Sequence, residues 1–149
     1  MREILFKAKR KDNGEWVEGY YIYHIKRTIC PLGDSVKPED EQHVIMQDGF
    51  SDWNMPRNTV VYEINPDALC QYTGLKDKNG NRIWENDIVR NEKGDIGVVQ
   101  WFEEHAAFMI WNKTKNCVCY LAENDFSKIE VIGNIFDGGL NDSKEAKEN

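Results

Sequence analysis

The chain opens on alternation. Ile4, Phe6 and Ala8 fall on one side of an extended backbone, and Glu3, Lys7, Lys9 and Lys11 fall on the other, with Leu5 the exception. Period-two patterning of this kind predicts a half-buried strand. Asp12-Asn13-Gly14 follows, and because Asn and Gly accept positive φ at little cost, a turn is expected there. The run from Glu15 to Ile25, rich in Trp16, Tyr20, Tyr21 and Tyr23, returns as a second strand. Residues 2–11 and 15–26 are therefore predicted to form a hairpin.

Periodicity then fails from Thr28 to Gln42. Pro31, Gly33, Asp34, Ser35, Pro38 and the acidic run Glu39-Asp40-Glu41 mark a loop. A short strand over His43–Gln47, a turn at Asp48-Gly49 and an exposed connection over 50–59 come next, before another strand over Val60–Ile64. Asn65-Pro66 has the form of a helix N-cap followed by proline at the first helical position. The expectation is a helix of one to two turns that Gly74 ends, anchored by Tyr72 and Leu75. Asp77-Lys78-Asn79-Gly80 predicts a second tight turn, between brief strands around Leu75 and Ile83-Trp84.

Five short β segments follow, near 87–91, 95–102, 106–112, 118–121 and 128–135, with tight loops and a turn of helix before the last. That is the recipe of an SH3-like barrel. The predicted fold class is α+β, mostly β. An N-terminal hairpin-containing region, residues 1–73, packs on a C-terminal SH3-like small barrel, residues 74–136, and residues 137–149 form a flexible tail.

Composition narrows the function classes. At 149 residues, 40% apolar and 11% aromatic, the chain can build a core without disulfide staples. Its longest apolar runs are short, which predicts no membrane span, and Arg2 and Glu3 stand where a signal peptide would need an apolar stretch. The net charge of −7 argues against a generic duplex binder. Yet residues 1–28 carry +3 and the rest −10, so a local basic face survives. The four cysteines, Cys30, Cys70, Cys117 and Cys119, lack the Cys-x-x-Cys spacing of a zinc site or redox pair and read as buried, reduced thiols.

Catalytic signatures are missing: there is no phosphate loop, nucleophile elbow or His-Glu-x-x-His. His24, His43 and His105 are scattered, and Glu103-Glu104-His105 falls in a predicted loop. The acidic run 39–41 with Asp34 could face a cation but has no EF-hand spacing. The expectation is therefore a non-enzymatic chain with no cofactor and no metal. Two binding readings stand. Phe50, Trp53 and Met55 lie in an irregular segment, and such residues are enriched at protein contacts; the competing reading tucks Trp53 back as a lid on the core. Lys7, Lys9, Lys11 and Lys26, interleaved with Trp and Tyr, could serve a nucleic-acid contact.

One resemblance covers nearly the whole chain. Gln71-Tyr72-Thr73-Gly74-Leu75-Lys76-Asp77-Lys78-Asn79-Gly80, continuing Ile83-Trp84-Glu85-Asn86-Asp87-Ile88-Val89, resembles the signature of the YopX family of phage and prophage proteins. The opening Arg2-Glu3-Ile4-Leu5-Phe6-Lys7-Ala8, then Trp16-Val17-Glu18-Gly19, and the close Ile132-Gly133-Asn134-Ile135 agree with it. Asn86 departs from the family's usual Gly at that place, and Asn is the non-glycine residue that best tolerates left-handed φ. The resemblance implies a small α+β protein ending in an SH3-like barrel, of phage origin, acting in the bacterial cytoplasm and self-associating. It implies no reaction. The expected partners are a second copy of the chain and a host or phage protein.

Overall fold

A computed structural model describes residues 1–29, 32–33 and 35–137. Extended backbone dominates it, arranged as two antiparallel sheets. The helical pieces among the described residues are three-residue 3-10 turns. By contact the chain divides into two compact units, Ile4–Cys70 and Gln71 onward with Met1–Glu3.

The first unit is an antiparallel meander of β1 (Phe6–Lys9), β2 (Trp16–Ile25), β3 (Glu41–Asp48) and β4 (Thr59–Glu63), ordered β4-β3-β2-β1. The predicted hairpin is present. β1 and β2 pair from Phe6↔Gly19 to Lys9↔Trp16, and Gly14 turns the chain at φ 73°. β2 then changes partner: from Tyr20↔Met46 to Ile25↔Glu41 it pairs with β3. Gly19 stands at that changeover. A Cβ there would come well inside 3 Å of the Met46 carbonyl oxygen and 3.0 Å from Ile45 Cγ2, so the missing side chain lets β3 cross close to the bend.

The sheet curls until its outer strands meet at one end. Arg10 bridges Ile64, the Lys11 N–H donates to the Glu63 carbonyl at 3.0 Å and the Asn65 N–H to the Lys9 carbonyl at 2.9 Å. Ala8, Val17, Ile45 and Ile64 fill the inside of the curl, with Phe6, Tyr21, Tyr62 and Leu69 packed against them. A small residue such as Ala8, fully buried, suits so tight a curvature.

The expected helix after Asn65 is corrected to a 3-10 turn, Pro66–Ala68. Asn65 does cap it, its side-chain oxygen accepting from the Asp67 N–H at 3.1 Å. The chain then enters β5 (Cys70–Lys76), because Cys70 and Tyr72 are buried while Gln71 and Thr73 are less so, a period of two. Gly74, read as a helix stop, instead lies within β5 at φ 90°. It falls where the ladder to β6 (Arg82–Trp84) shifts register between Tyr72 and Lys76.

Beyond it, β7 (Asp87–Arg90), β8 (Ile96–Phe102), β9 (Ala107–Asn112), β10 (Cys117–Tyr120) and β11 (Glu130–Asn134) fall close to their predicted positions. They form one antiparallel sheet, and among the described residues the sheet does not close into a barrel. The order is β10-β9-β8-β7-β11, with β10 and β11 as its edges. The chain between those edges folds into two 3-10 turns, Leu121–Glu123 and Phe126–Lys128. These deliver Leu121, Phe126 and Ile129 to a core of Ile83, Val89, Val99 and Ile110 and do not bring β10 to β11.

Asp77 ties the turn before β6 to the far edge strand. Its carboxylate accepts from the Asn79, Asn81 and Val131 N–H groups, each at 2.9 Å. Burial pushes this carboxyl up, but the three backbone donors outweigh it and hold it below the usual aspartate range. Cys30, Pro31 and Asp34 of the predicted loop, and the predicted tail past Asp137, lie outside the described residues. No helix among the described residues is long and apolar enough to cross a membrane.

Candidate protein-interaction surface

The loop between β3 and β4 is held by its own backbone and not by the core. The Gly49 N–H donates to the Asn58 carbonyl at 2.6 Å and the Met55 N–H to the Asp52 carbonyl at 3.1 Å. Ser51 Oγ reaches the Met55 carbonyl at 3.0 Å, Arg57 pairs with Asp48 at 3.2 Å, and Asn54 takes the left-handed conformation at φ 63°. The outcome is a shaped turn with apolar side chains pointing outward. Phe50 is 91% exposed, Trp53 92% and Met55 62%. Trp53 is therefore no lid on the core.

This loop stands at the end of a sheet whose outer face also carries apolar side chains near the loop. Pairing places Tyr20, Met46 and Val61 in one row, and Ile22, the buried Val44 and the exposed Glu63 in the next, on the face opposite the core residues Tyr21, Ile45 and Tyr62. Tyr20 is 59% exposed and Val61 54%. This face was not among the expected surfaces, although its signal is present in the residues. A strand buried on one side carries a polar residue at every second place, and Tyr20-Tyr21-Ile22-Tyr23 and Val60-Val61-Tyr62 do not.

The lysines named for nucleic acid do not form one stripe. Lys7 and Lys9 share the outer face of β1 and hold their ammonium groups 4.8 and 5.4 Å from the Trp16 ring. Lys11 pairs with Glu63 at 3.3 Å. Lys26 follows the far end of β2, ten residues beyond Trp16, which at strand rise is on the order of 30 Å away.

The histidines sit among aromatic and amide groups. His43 Nδ1 lies 2.6 Å from the Tyr21 hydroxyl, with the two rings stacked, and burial raises the Tyr21 phenol above its ordinary pKa. Tyr23 donates to Glu41 at 3.0 Å, and that bond raises its phenol as well. His24 meets Gln42, and His105 packs between Phe102 and Tyr120. Glu103 and Glu104 are exposed. Within the acidic run, Asp40 receives both ends of the Arg27 guanidinium, at 3.0 and 2.8 Å, which holds its carboxyl low. Among the described residues no three His, Cys, Asp or Glu side chains gather as a metal would need.

Cysteine placement is mixed. Cys70 is buried, Cys119 is half-buried, and Cys117, expected to be buried, is exposed because β10 is an edge strand.

The signature block from Thr73 to Val89 is architectural. Thr73 Oγ1 donates to the Ile83 carbonyl at 2.7 Å, the Trp84 N–H donates to the buried Asp87 carboxylate at 2.8 Å, and Asn86 turns the chain at φ 68°. That is the left-handed turn its identity foretold. The family model for "YopX protein" matches residues 5–140. The chain belongs to the YopX family. A 40-residue stretch of this YopX-family chain is 50% identical to "Uncharacterized protein YkkB" of Bacillus subtilis (strain 168), covering 27% of this chain and 23% of that relative. The similarity thus spans less than a quarter of the relative's length.

Proposed function

We propose that this YopX-family chain is a non-enzymatic protein-interaction module of phage origin that self-associates in the bacterial cytoplasm. The observation that carries the reading is the β3–β4 loop. A hydrogen-bonded turn that exposes a Phe, a Trp and a Met together is preorganised for contact, and rigid aromatic anchors dominate interface energetics. An apolar cluster of this kind is unfavourable in water and gains by being covered. For the C-terminal half, an SH3-like topology remains the family expectation we adopt, in the form of a five-stranded sheet that opens between β10 and β11.

Solution mass by light scattering tests the proposal, at two salt concentrations and with added single-stranded or duplex DNA. The expected result is a fixed multiple of 17.4 kDa that neither salt nor DNA changes. A monomer whose mass rises with DNA at low salt and falls back at high salt would overturn it. That outcome would favour nucleic-acid binding, in which Lys7 and Lys9 beside Trp16 would be the first contacts to test.

A further inference from the structure

We infer that Asn79 is a site of spontaneous modification, where the signature turn converts its own asparagine to aspartate and isoaspartate and so unties itself from the far edge strand. The chain holds two Asn-Gly pairs, Asn13-Gly14 and Asn79-Gly80, both exposed. A glycine after asparagine leaves its main-chain nitrogen unshielded, since no Cβ stands beside it, and that nitrogen can close a succinimide ring on the asparagine Cγ. As the Gly80 N–H gives up its proton to solvent base, the N–Cγ bond forms, the Cγ–Nδ2 bond breaks and ammonia leaves with a proton from water. Water then opens the ring on either side. Attack at Cγ leaves aspartate; attack at the main-chain carbonyl leaves isoaspartate, whose backbone runs through Cβ and Cγ and is one carbon longer. The net exchange is one water in and one ammonia out, with no oxidant.

The two pairs are alike in backbone and unlike in side chain. Gly14 and Gly80 take φ 73° and 79°, and their N–H groups donate to the Arg10 carbonyl at 3.0 Å and the Asp77 carbonyl at 3.1 Å. The carboxamides differ. Asn13 Oδ1 accepts the Glu15 N–H at 3.0 Å and its Nδ2 donates to Glu15 Oε2 at 3.3 Å, so both bonds must break before Cγ can swing onto Gly14. Asn79 is anchored by its main-chain N–H, which donates to Asp77 Oδ1 at 2.9 Å, and its carboxamide has no partner among the described residues. Breaking two exposed hydrogen bonds slows Asn13 by roughly tenfold against Asn79. The position also gives the reaction a consequence. Asp77 Oδ1 accepts from the Asn79 and Asn81 N–H groups together, while Oδ2 holds the Val131 N–H. An aspartate at 79 sets a second carboxylate beside Asp77, a like charge that disfavours its ionised form. An isoaspartate lengthens the main chain between the two donors and moves the Asn81 N–H off the oxygen they share.

The test ages the full chain in mildly alkaline buffer made with oxygen-labelled water and maps its peptides by mass spectrometry, with isoaspartyl methyltransferase marking isoaspartate. Label and isoaspartate are expected at Asn79, with Asn13 about tenfold slower. In urea the two pairs should react at similar rates, because the hold of Glu15 on Asn13 is gone. Thermal melts of the aged chain should show a lower Tm than those of the fresh chain. An aged Asn79→Gln chain, whose longer amide closes the ring poorly, should keep the Tm of its fresh form; the position is exposed, and exposed substitutions leave folding almost unchanged. Asn13 reacting as fast as Asn79 in the folded chain would overturn the assignment, as would a folded chain inert at Asn79 while the urea-treated chain reacts. Conversion at Asn79 with no fall in Tm, or an equal fall in the aged Asn79→Gln chain, would overturn the link to Asp77 and Val131.

Discussion

Replacing Gly19 by alanine tests how closely β2 and β3 approach at the bend. The backbone there is not left-handed, so by itself the change would stabilise the chain by about 0.4–1 kcal/mol through a less flexible unfolded state. Against that stands a methyl group aimed at main chain. It would lie well inside 3 Å of the Met46 oxygen, 3.0 Å from Ile45 Cγ2 and 3.1 Å from the Met46 carbonyl carbon. Ordinary contact begins near 3.4 Å, so β3 must retreat by something on the order of an ångström in a close-packed interior. Overpacking typically costs about 1–3 kcal/mol. Here the obstacle is backbone inside a paired ladder, which puts the loss at the top of that range. The clash therefore wins, by roughly 2 kcal/mol net. Thermal melts followed by circular dichroism should show Tm falling by at least about 8 °C for a unit this short. Shortening Met46 to alanine should not rescue the variant, because the colliding atoms are main chain. A Gly19→Ala chain that melts at or above the parent temperature would refute the reasoning.

Three further outcomes are expected. Asp77→Ala strips three N–H groups of their acceptor and should cost about 2–4 kcal/mol in urea denaturation. In the parent, Asp77's folded pKa is depressed, so its contribution is present above the ordinary value of 3.8 and fades as pH falls through the folded value; Asp77→Ala should lack that part of the acid dependence. Glu85 is the reverse case. Burial raises its carboxyl against one N–H bond from Gln71, so its ionised form weakens the fold as pH rises past the ordinary 4.5. Glu85→Gln should raise Tm at pH 7, and the gain should vanish in melts run below that value. Ala106 ends a 3-10 turn in the left-handed conformation, φ 48°, where a Cβ costs about 1 kcal/mol. Ala106→Gly should therefore stabilise by roughly 0.5 kcal/mol, read as a small rise in the denaturation midpoint.

What could be read from the chain was local chemistry. Asn13-Gly14 and Asp77 to Gly80 announce their turns through residues that accept unusual φ or cap a backbone, and Asn86 announces its left-handed turn in the same way. Alternation around Ala8 gives β1 and its buried side. What escaped was long-range. The Asn65-Pro66 cap is real, but capping fixes only how a turn starts, and the alternation of Cys70 and Tyr72 decided that a strand would follow. Barrel closure depends on whether β10 meets β11, a matter of register and of where Leu121 and Ile129 pack, and no residue type reports it. The candidate surface was half legible. Phe50, Trp53 and Met55 stand out in an irregular segment, whereas the outer face of Tyr20 and Val61 required knowing which side of the sheet holds the core.

The bridge from Arg10 to Ile64 also sets the order in which the N-terminal unit can be completed during synthesis. The β1–β2 hairpin can form early, since its contacts are local. Its apolar inner side nevertheless stays open to water until Ile64 leaves the ribosome and Asn65 donates back to Lys9. A chain cut just before Ile64 would keep all four strands complete, yet lose the residue that closes the core over Ala8 and Ile45. Such a fragment should bind hydrophobic dyes and aggregate, while one extended through Leu69 should not.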